Sequence, residues 1–142
     1  MIGTEVTEGI IGAAIEVHRA LGPGLLESIY EECLAEELGL RKLSYERQHA
    51  VPLVYKGRCL GADLRVDLLV NDLVVVELKA IERILPIHAA QVVTYLRLTQ
   101  KPYGLLINFN VPLLKDGVRR YLNPFQLRCS VSPCENLGEG GG

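Results

Sequence analysis

Hydrophobic positions in the first forty residues recur at helical spacing. Ile10, Ala14, Val17 and Leu21 line one face of a segment that Thr4 can cap, with Glu5 and Glu8 in its first turn, and Gly22-Pro23-Gly24 breaks it. Leu26, Ile29, Tyr30, Cys33, Leu34 and Leu38 form the stripe of a second helix, with Glu31, Glu32 and Glu36 expected in water and Gly39 placed to end it. From about Ser44 the period becomes that of strands. Residues 45–55, 60–70 and 73–79 read as three extended runs separated by the turn signals Lys56-Gly57 and Asn71-Asp72, an antiparallel meander. Pro86 sits at the first position of a third helix over 87–98, and Lys101-Pro102 closes it before an apolar strand over 103–108. Residues 111–122, with the Asp116-Gly117 turn, read as a hairpin or as a strand with a helical turn.

The order α-α-β-β-β-α-β implies an α/β (α+β) class domain, a sheet flanked by helices. Its expected extent is residues 1–128, with 129–142, ending Gly-Glu-Gly-Gly-Gly, as a disordered tail. At 142 residues and 49% hydrophobic, the chain can bury roughly two thirds of its unfolded surface, which excludes low-complexity and collagen-like classes. No apolar run approaches the roughly 18 residues that span a bilayer, and the N-terminus carries acids where an export signal needs bases. The expectation is a cytoplasmic protein with no membrane partner. Cys33, Cys59, Cys129 and Cys134 lack CxxC or zinc-finger spacing and read as free thiols, ahead of an iron–sulfur alternative.

The net charge of −2 hides a strong asymmetry, because residues 1–40 hold eight acids and one base while 101–128 hold one acid and five bases. A polyanion should therefore meet the later region, at Lys101, Lys115, Arg119 and Arg120, unless these charges merely populate solvated faces.

Three charges interrupt apolar strands. Glu77 and Lys79 lie two residues apart at the end of Val74-Val75-Val76, so both leave the same face of the sheet, and Asp67 interrupts Val66…Leu68-Leu69-Val70. Charges at core positions cost several kcal/mol unless paired or metal-bound, so the trio is either a structural ion-pair cluster or a site. The chemistry that uses two carboxylates and an ammonium is metal-assisted phosphodiester hydrolysis. Asp67 and Glu77 would hold Mg²⁺ or Mn²⁺, and Lys79 would act on the water or the transition state. On the third helix His88, Gln91 and Tyr95 recur at i, i+3 and i+7 and can face that edge together. Glu27 on the second helix is a further candidate acid, and His18 approaches the same corner as an accessory candidate.

A geometric condition follows. A plain two-residue loop at Asn71-Asp72 would pair Asp67 with Val76 and put Asp67 and Glu77 on opposite faces, so a site requires an odd-length loop, a bulge or a bend.

Gly24-Leu25-Leu26-Glu27-Ser28-Ile29-Tyr30 resembles the signature of the GxxExxY proteins, with Gly24, Glu27 and Tyr30 at the signature positions. These small bacterial and archaeal proteins are assigned to the PD-(D/E)XK nuclease superfamily. The similarity continues through residues 16–24, the Asp67 strand, Glu77-Leu78-Lys79, His88 to Tyr95, and residues 104–117, although Val66 stands where the superfamily pattern has proline. The resemblance implies a restriction-endonuclease-like αβββαβ core with an additional N-terminal helix, Asp67, Glu77 and Lys79 as nuclease triad, Glu27 as an extra acid, and a Gln91-x-x-x-Tyr95 motif similar to that of RecB-type nucleases. The implied activity is metal-dependent cleavage of nucleic acid, DNA in preference to RNA, and a homodimer would set two sites across a duplex. The alternative is a non-catalytic nucleic-acid- or protein-binding scaffold on the same fold.

Overall fold

The computed structural model describes residues 3–125; the expected tail lies outside them. Helices α1 (Gly3–Leu21) and α2 (Glu27–Leu40) open the chain. Strands β1 (Tyr45–Ala50), β2 (Leu53–Tyr55), β3 (Arg58–Leu60), β4 (Arg65–Val70) and β5 (Val74–Lys79) follow, then helix α3 (Pro86–Thr99), strand β6 (Tyr103–Asn108), a 3₁₀ turn (Leu114–Gly117) and strand β7 (Val118–Leu122). The main sheet has the order β1-β4-β5-β6-β7, with β5 and β6 parallel and every other neighbour antiparallel.

Alternating side chains on these strands feed two cores. Leu68, Val70, Val74, Val76, Leu78, Leu105 and Ile107 pack under α1 and α2, against Val6, Ile10, Val17, Tyr30 and Leu34. Val66, Leu69, Val75 and Leu106 pack on the other face against Val92 and Leu96 of α3. The central β5 is apolar on both faces over Val74–Val76 because both are covered. The result is three layers, with α3 as the crossover that a parallel β5–β6 pair requires. This is an α+β architecture consistent with the restriction-endonuclease-like fold.

Several local expectations change. The run over 45–55 divides into β1 and β2 at Val51-Pro52, and the run over 60–70 into β3 and β4, so β2 and β3 form their own hairpin beyond the main sheet. Proline has no N–H to donate, which favours such a break. Of the two readings of residues 111–122, the strand with a helical turn holds and the hairpin does not, since Leu114–Gly117 is helical and β7 pairs back onto β6. The stripe of α2 is rotated from the expected one. Leu26 and Ile29 are exposed whereas Glu31 is buried, because Arg47 and Gln48 of β1 supply it with charged and amide donors. Cys33 is a free thiol, but Cys59 is disulfide-bonded, against the expectation of free thiols throughout.

The turn between α1 and α2 is held by one side chain. Gly22 and Gly24 adopt φ of 72° and 101°, a region that disfavours other residues. Tyr30 reaches back from α2, donating its hydroxyl to Gly22 O at 2.6 Å and accepting the Leu25 N–H at 3.2 Å. Its ring stacks on Phe109 at 4.4 Å, just past the end of β6. His18 donates Nε2–H to Val111 O at 2.8 Å and tilts against the same Phe109. Tyr30→Phe should keep the stack and lose the two hydrogen bonds, a cost of about 1–2 kcal/mol. Thermal unfolding should then show a Tm lower by about 2–6 °C. Tyr30→Ala, which also empties a core position, should cost about 3–5 kcal/mol.

Candidate active site

The loop joining β4 to β5 sets the register in which the two charged strand ends meet. Val70 pairs with Val74, Leu69 with Val75 and Leu68 with Val76, so three residues connect the strands. Asn71 and Asp72 both have positive φ (52° and 57°), a conformation these residues tolerate, and Leu73 N–H closes the turn on Val70 O at 3.0 Å. Asn71 Oδ1 is also gripped by the backbone N–H and hydroxyl of Ser44. Extending the register sets Asp67 level with Glu77, but the alternation of β4 breaks there, since Val66 and Leu68 enter opposite cores, and the two carboxylates meet through hydrogen bonds across the gap.

At that point the ladder opens. Asp67 and Glu77 do not pair through their backbones; the Asp67 N–H donates to Glu77 Oε1 at 3.0 Å and the Leu78 N–H donates to Asp67 Oδ2 at 2.8 Å. Each carboxylate thus takes the place of a strand carbonyl, and the fork between β4 and β5 is lined with acid. Glu77 is 5% exposed. Burial, with the neighbouring Asp67 charge as the next cause, pushes its carboxyl up to about 8. Asp67 is also raised, by burial first, while the Leu78 N–H works in the opposite direction.

Two helices, and a lysine of β5 itself, converge on the fork. Glu27, the first residue of α2, is exposed as a residue, yet partial burial of its carboxyl raises its pKa; the Lys79 charge lowers it, and Asp67 and Glu31 raise it further. Lys79 acts on Glu27, Asp67 and Glu77 alike, and no ion pair among the described residues includes it. From α3, Gln91 Nε2 donates to Tyr95 Oη at 3.2 Å. The Tyr95 hydroxyl is raised by burial and then by the charges of Glu77 and Asp67, so it lies within electrostatic reach of the acids. Glu27, Asp67, Glu77, Lys79 and Tyr95 are therefore one electrostatic unit, and Gln91 joins it through Tyr95.

Other candidates lie elsewhere. His18 serves the α1–α2 corner described above and not the acidic fork, because Val111 O and Phe109 hold its ring. His88 accepts the Leu85 N–H on Nδ1 at 2.9 Å and so caps α3. The basic residues do not form one grip. Lys101 is paired with Asp72 at 2.7 Å. Arg119 and Arg120 stand opposite Leu106 and Leu105, which belong to different cores, so they leave β7 on opposite faces. Lys115 is exposed on the 3₁₀ turn.

Two contributors were not singled out from the sequence. Gln48 on β1 donates Nε2 to Glu31 Oε1 at 2.7 Å and to Asp67 Oδ1 at 3.4 Å. Asn108, buried at the end of β6, donates to Ile81 O and accepts the N–H of Ile81 and Asn110, fixing the chain just after Lys79. Glu31 carried a signal, since it follows Glu27 by one helical turn and shares its side of α2.

Among the described residues, no three His, Cys, Asp or Glu side chains are grouped closely enough to enclose a metal. Two facing carboxylates still suit Mg²⁺, a hard cation that keeps most of its waters and takes one or two protein carboxylates. Their mutual repulsion, visible in the raised Glu77 carboxyl, is what a divalent cation would relieve.

A carboxyl with a pKa near 4.5 when unfolded and about 8 when folded keeps its proton longer in the native state. Stability must then fall as pH rises through that window, with the penalty complete above about 8. Glu77→Gln cannot ionise and should lose this slope. In EDTA at pH 8.5 its Tm should exceed that of wild type by several degrees, and the two should converge near pH 4.5, as followed by thermal melts across pH.

A profile of the PD-(D/E)XK nuclease superfamily matches residues 4–121, from the first turn of α1 to β7. No curated protein and no solved structure matches the chain. No helix among the described residues is long and apolar enough to cross a membrane. With most of its length matched, and with the fork of β4 and β5 carrying Asp67 and the Glu77-x-Lys79 element, the chain belongs to the PD-(D/E)XK nuclease superfamily.

Proposed function

We propose that this protein is a divalent-metal-dependent nuclease of the GxxExxY type that hydrolyses phosphodiester bonds in DNA. The observation that carries the reading is that Asp67, Glu77 and Glu27 all feel the charge of one ammonium, Lys79, which enters no ion pair among the described residues. Superfamily membership supports a nucleic acid as substrate.

Asp67 and Glu77 would hold Mg²⁺ or Mn²⁺, and Glu27, the third acid proposed for the metal, would have to close in on them to join the shell. When bound, the cation polarises the scissile phosphate and favours ionisation of water. Lys79 orients the attacking water and offsets charge building on the phosphoryl oxygens. Tyr95, held by Gln91, supplies a hydroxyl to the phosphate or the metal-bound waters. Lys115 and one of Arg119 and Arg120, which leave opposite faces of β7, would meet the backbone of the DNA at a distance from the chemistry, and Lys101 would do so by exchanging Asp72 for phosphate. The cytoplasm is the proposed location.

One observation favours a scaffold without catalysis. Asp67 and Glu77 each already accept a backbone N–H, which closes the fork without any metal. The two readings separate experimentally. Calorimetry should show wild type binding Mg²⁺ and Mn²⁺ and Asp67→Ala binding neither, and metal-dependent cleavage of labelled DNA should disappear with Asp67. Lys79→Met should retain the metal and lose about 10²-fold or more in kcat. A wild-type chain that binds neither metal, alone or with DNA, would instead support the scaffold.

A further inference from the structure

The fork is held from the side of β1 as well as by its own backbone. Gln48 has φ of 51°, in the left-handed region that a strand residue other than glycine rarely occupies. The pairing of β1 with β4 runs through Arg47 with Leu68 and His49 with Val66, and it omits the position where Gln48 faces Asp67. A residue kept in such a conformation inside a strand must be over-determined by its surroundings, and in many proteins such residues cluster at functional sites.

Arg65 Nη1 donates to the Gln48 backbone oxygen at 3.1 Å, and the rest of the hold comes from the side-chain amide. Both of its partners are carboxylates, Glu31 Oε1 at 2.7 Å and Asp67 Oδ1 at 3.4 Å, so the NH₂ end must point at them and can give one hydrogen to each. Glu31 is a firm anchor. Arg47 donates Nε and Nη2 to Glu31 Oε2 at 3.1 and 3.0 Å, and its remaining arm reaches Glu32 at 2.9 Å. Asp67 is thereby addressed at both oxygens, Oδ2 by the Leu78 N–H and Oδ1 by Gln48. Glu31 would repel Asp67 across this gap, and a neutral amide donor between them lets two carboxylates share one corner.

We infer that Gln48, anchored on the Glu31–Arg47 pair, is a positioning residue for Asp67: it sets the carboxylate plane for a divalent cation and contacts neither substrate nor metal itself. The inference rests on the nuclease reading and names the control of that site. Partners of this kind, one shell outside a metal ligand, typically change metal affinity or activity by about 10–100-fold when lost.

The test uses Gln48→Gly and Gln48→Glu in the full chain. Glycine relieves the left-handed backbone and removes the donor, so Gln48→Gly should melt at or above the wild-type temperature while Mg²⁺ affinity and kcat each fall about 10-fold, with KM for DNA little changed. A residue with a merely structural role would not lose kcat while the fold gained stability. Gln48→Glu keeps the shape, turns the donor into a charged acceptor, and should lose more. Glu31→Gln, which leaves the Gln48 amide in place but weakens its anchor, should fall between wild type and Gln48→Gly, and keeps the question answerable if either Gln48 variant fails to fold. Wild-type Mg²⁺ binding and kcat in the variants that fold would overturn the positioning role alone. A wild-type chain without metal binding or cleavage would overturn the nuclease reading and this role together.

Discussion

Past Leu68 and Val76, strands β4 and β5 cannot continue their ladder, and two backbone amides are left facing the gap. The structure satisfies them with carboxylates, Glu77 for the Asp67 N–H and Asp67 for the Leu78 N–H. An unpaired buried N–H costs about 1–3 kcal/mol, so the exchange stabilises the opening while concentrating negative charge where the sheet is dry. Everything near the fork answers to that concentration: Lys79 on the same strand, Gln48 and the Arg47–Glu31 pair from β1, Tyr95 from α3. Burial, and after it the Asp67 charge, raises the Glu77 carboxyl to about 8, so the fork favours a proton or a cation at that position.

The Gly24-x-x-Glu27-x-x-Tyr30 segment has a matching physical logic. Gly24 allows the left-handed turn, Tyr30 locks that turn through Gly22 and Leu25, and its ring fixes the start of α2 on Phe109 at the end of β6. Since β5 and β6 run parallel, the end of β6 is also the end of β5 that carries Glu77 and Lys79. Glu27, at the first position of the helix so anchored, is delivered to the fork by the two residues that flank it in the motif. His18 and Asn108 serve the same end of the sheet, one holding the loop after β6 and the other the loop after β5.

Much of this is readable from the residue pattern. The helical periods of α1 and α3, the Pro86 start, the apolar β5 and β6 and the charged trio all follow from local rules. The odd connection at Asn71–Leu73 is legible as a requirement, because the register decides which residue of β5 Asp67 meets. What local rules miss is contact made across the fold. Glu31 reads as a solvent-facing glutamate until β1 brings Arg47 beside it, Gln48 has no motif at all, and the split of β1 from β2 depends on where the main sheet ends. Arg119 and Arg120 look like one patch in the chain and are separated because neighbours on a strand face opposite ways.

The pairing of β4 with β5 also limits how such a chain can vary. A loop longer or shorter by one residue that still set Val70 opposite Val74 would leave Asp67 level with Glu77, because residues paired across an antiparallel ladder share a face whatever the turn between them. A change that slipped the register by one would instead turn every side chain of one strand over, expelling apolar residues from both cores along with parting the acids. Burial on the two faces of the sheet thus guards the acidic fork, and the turn itself is free to vary so long as that register holds.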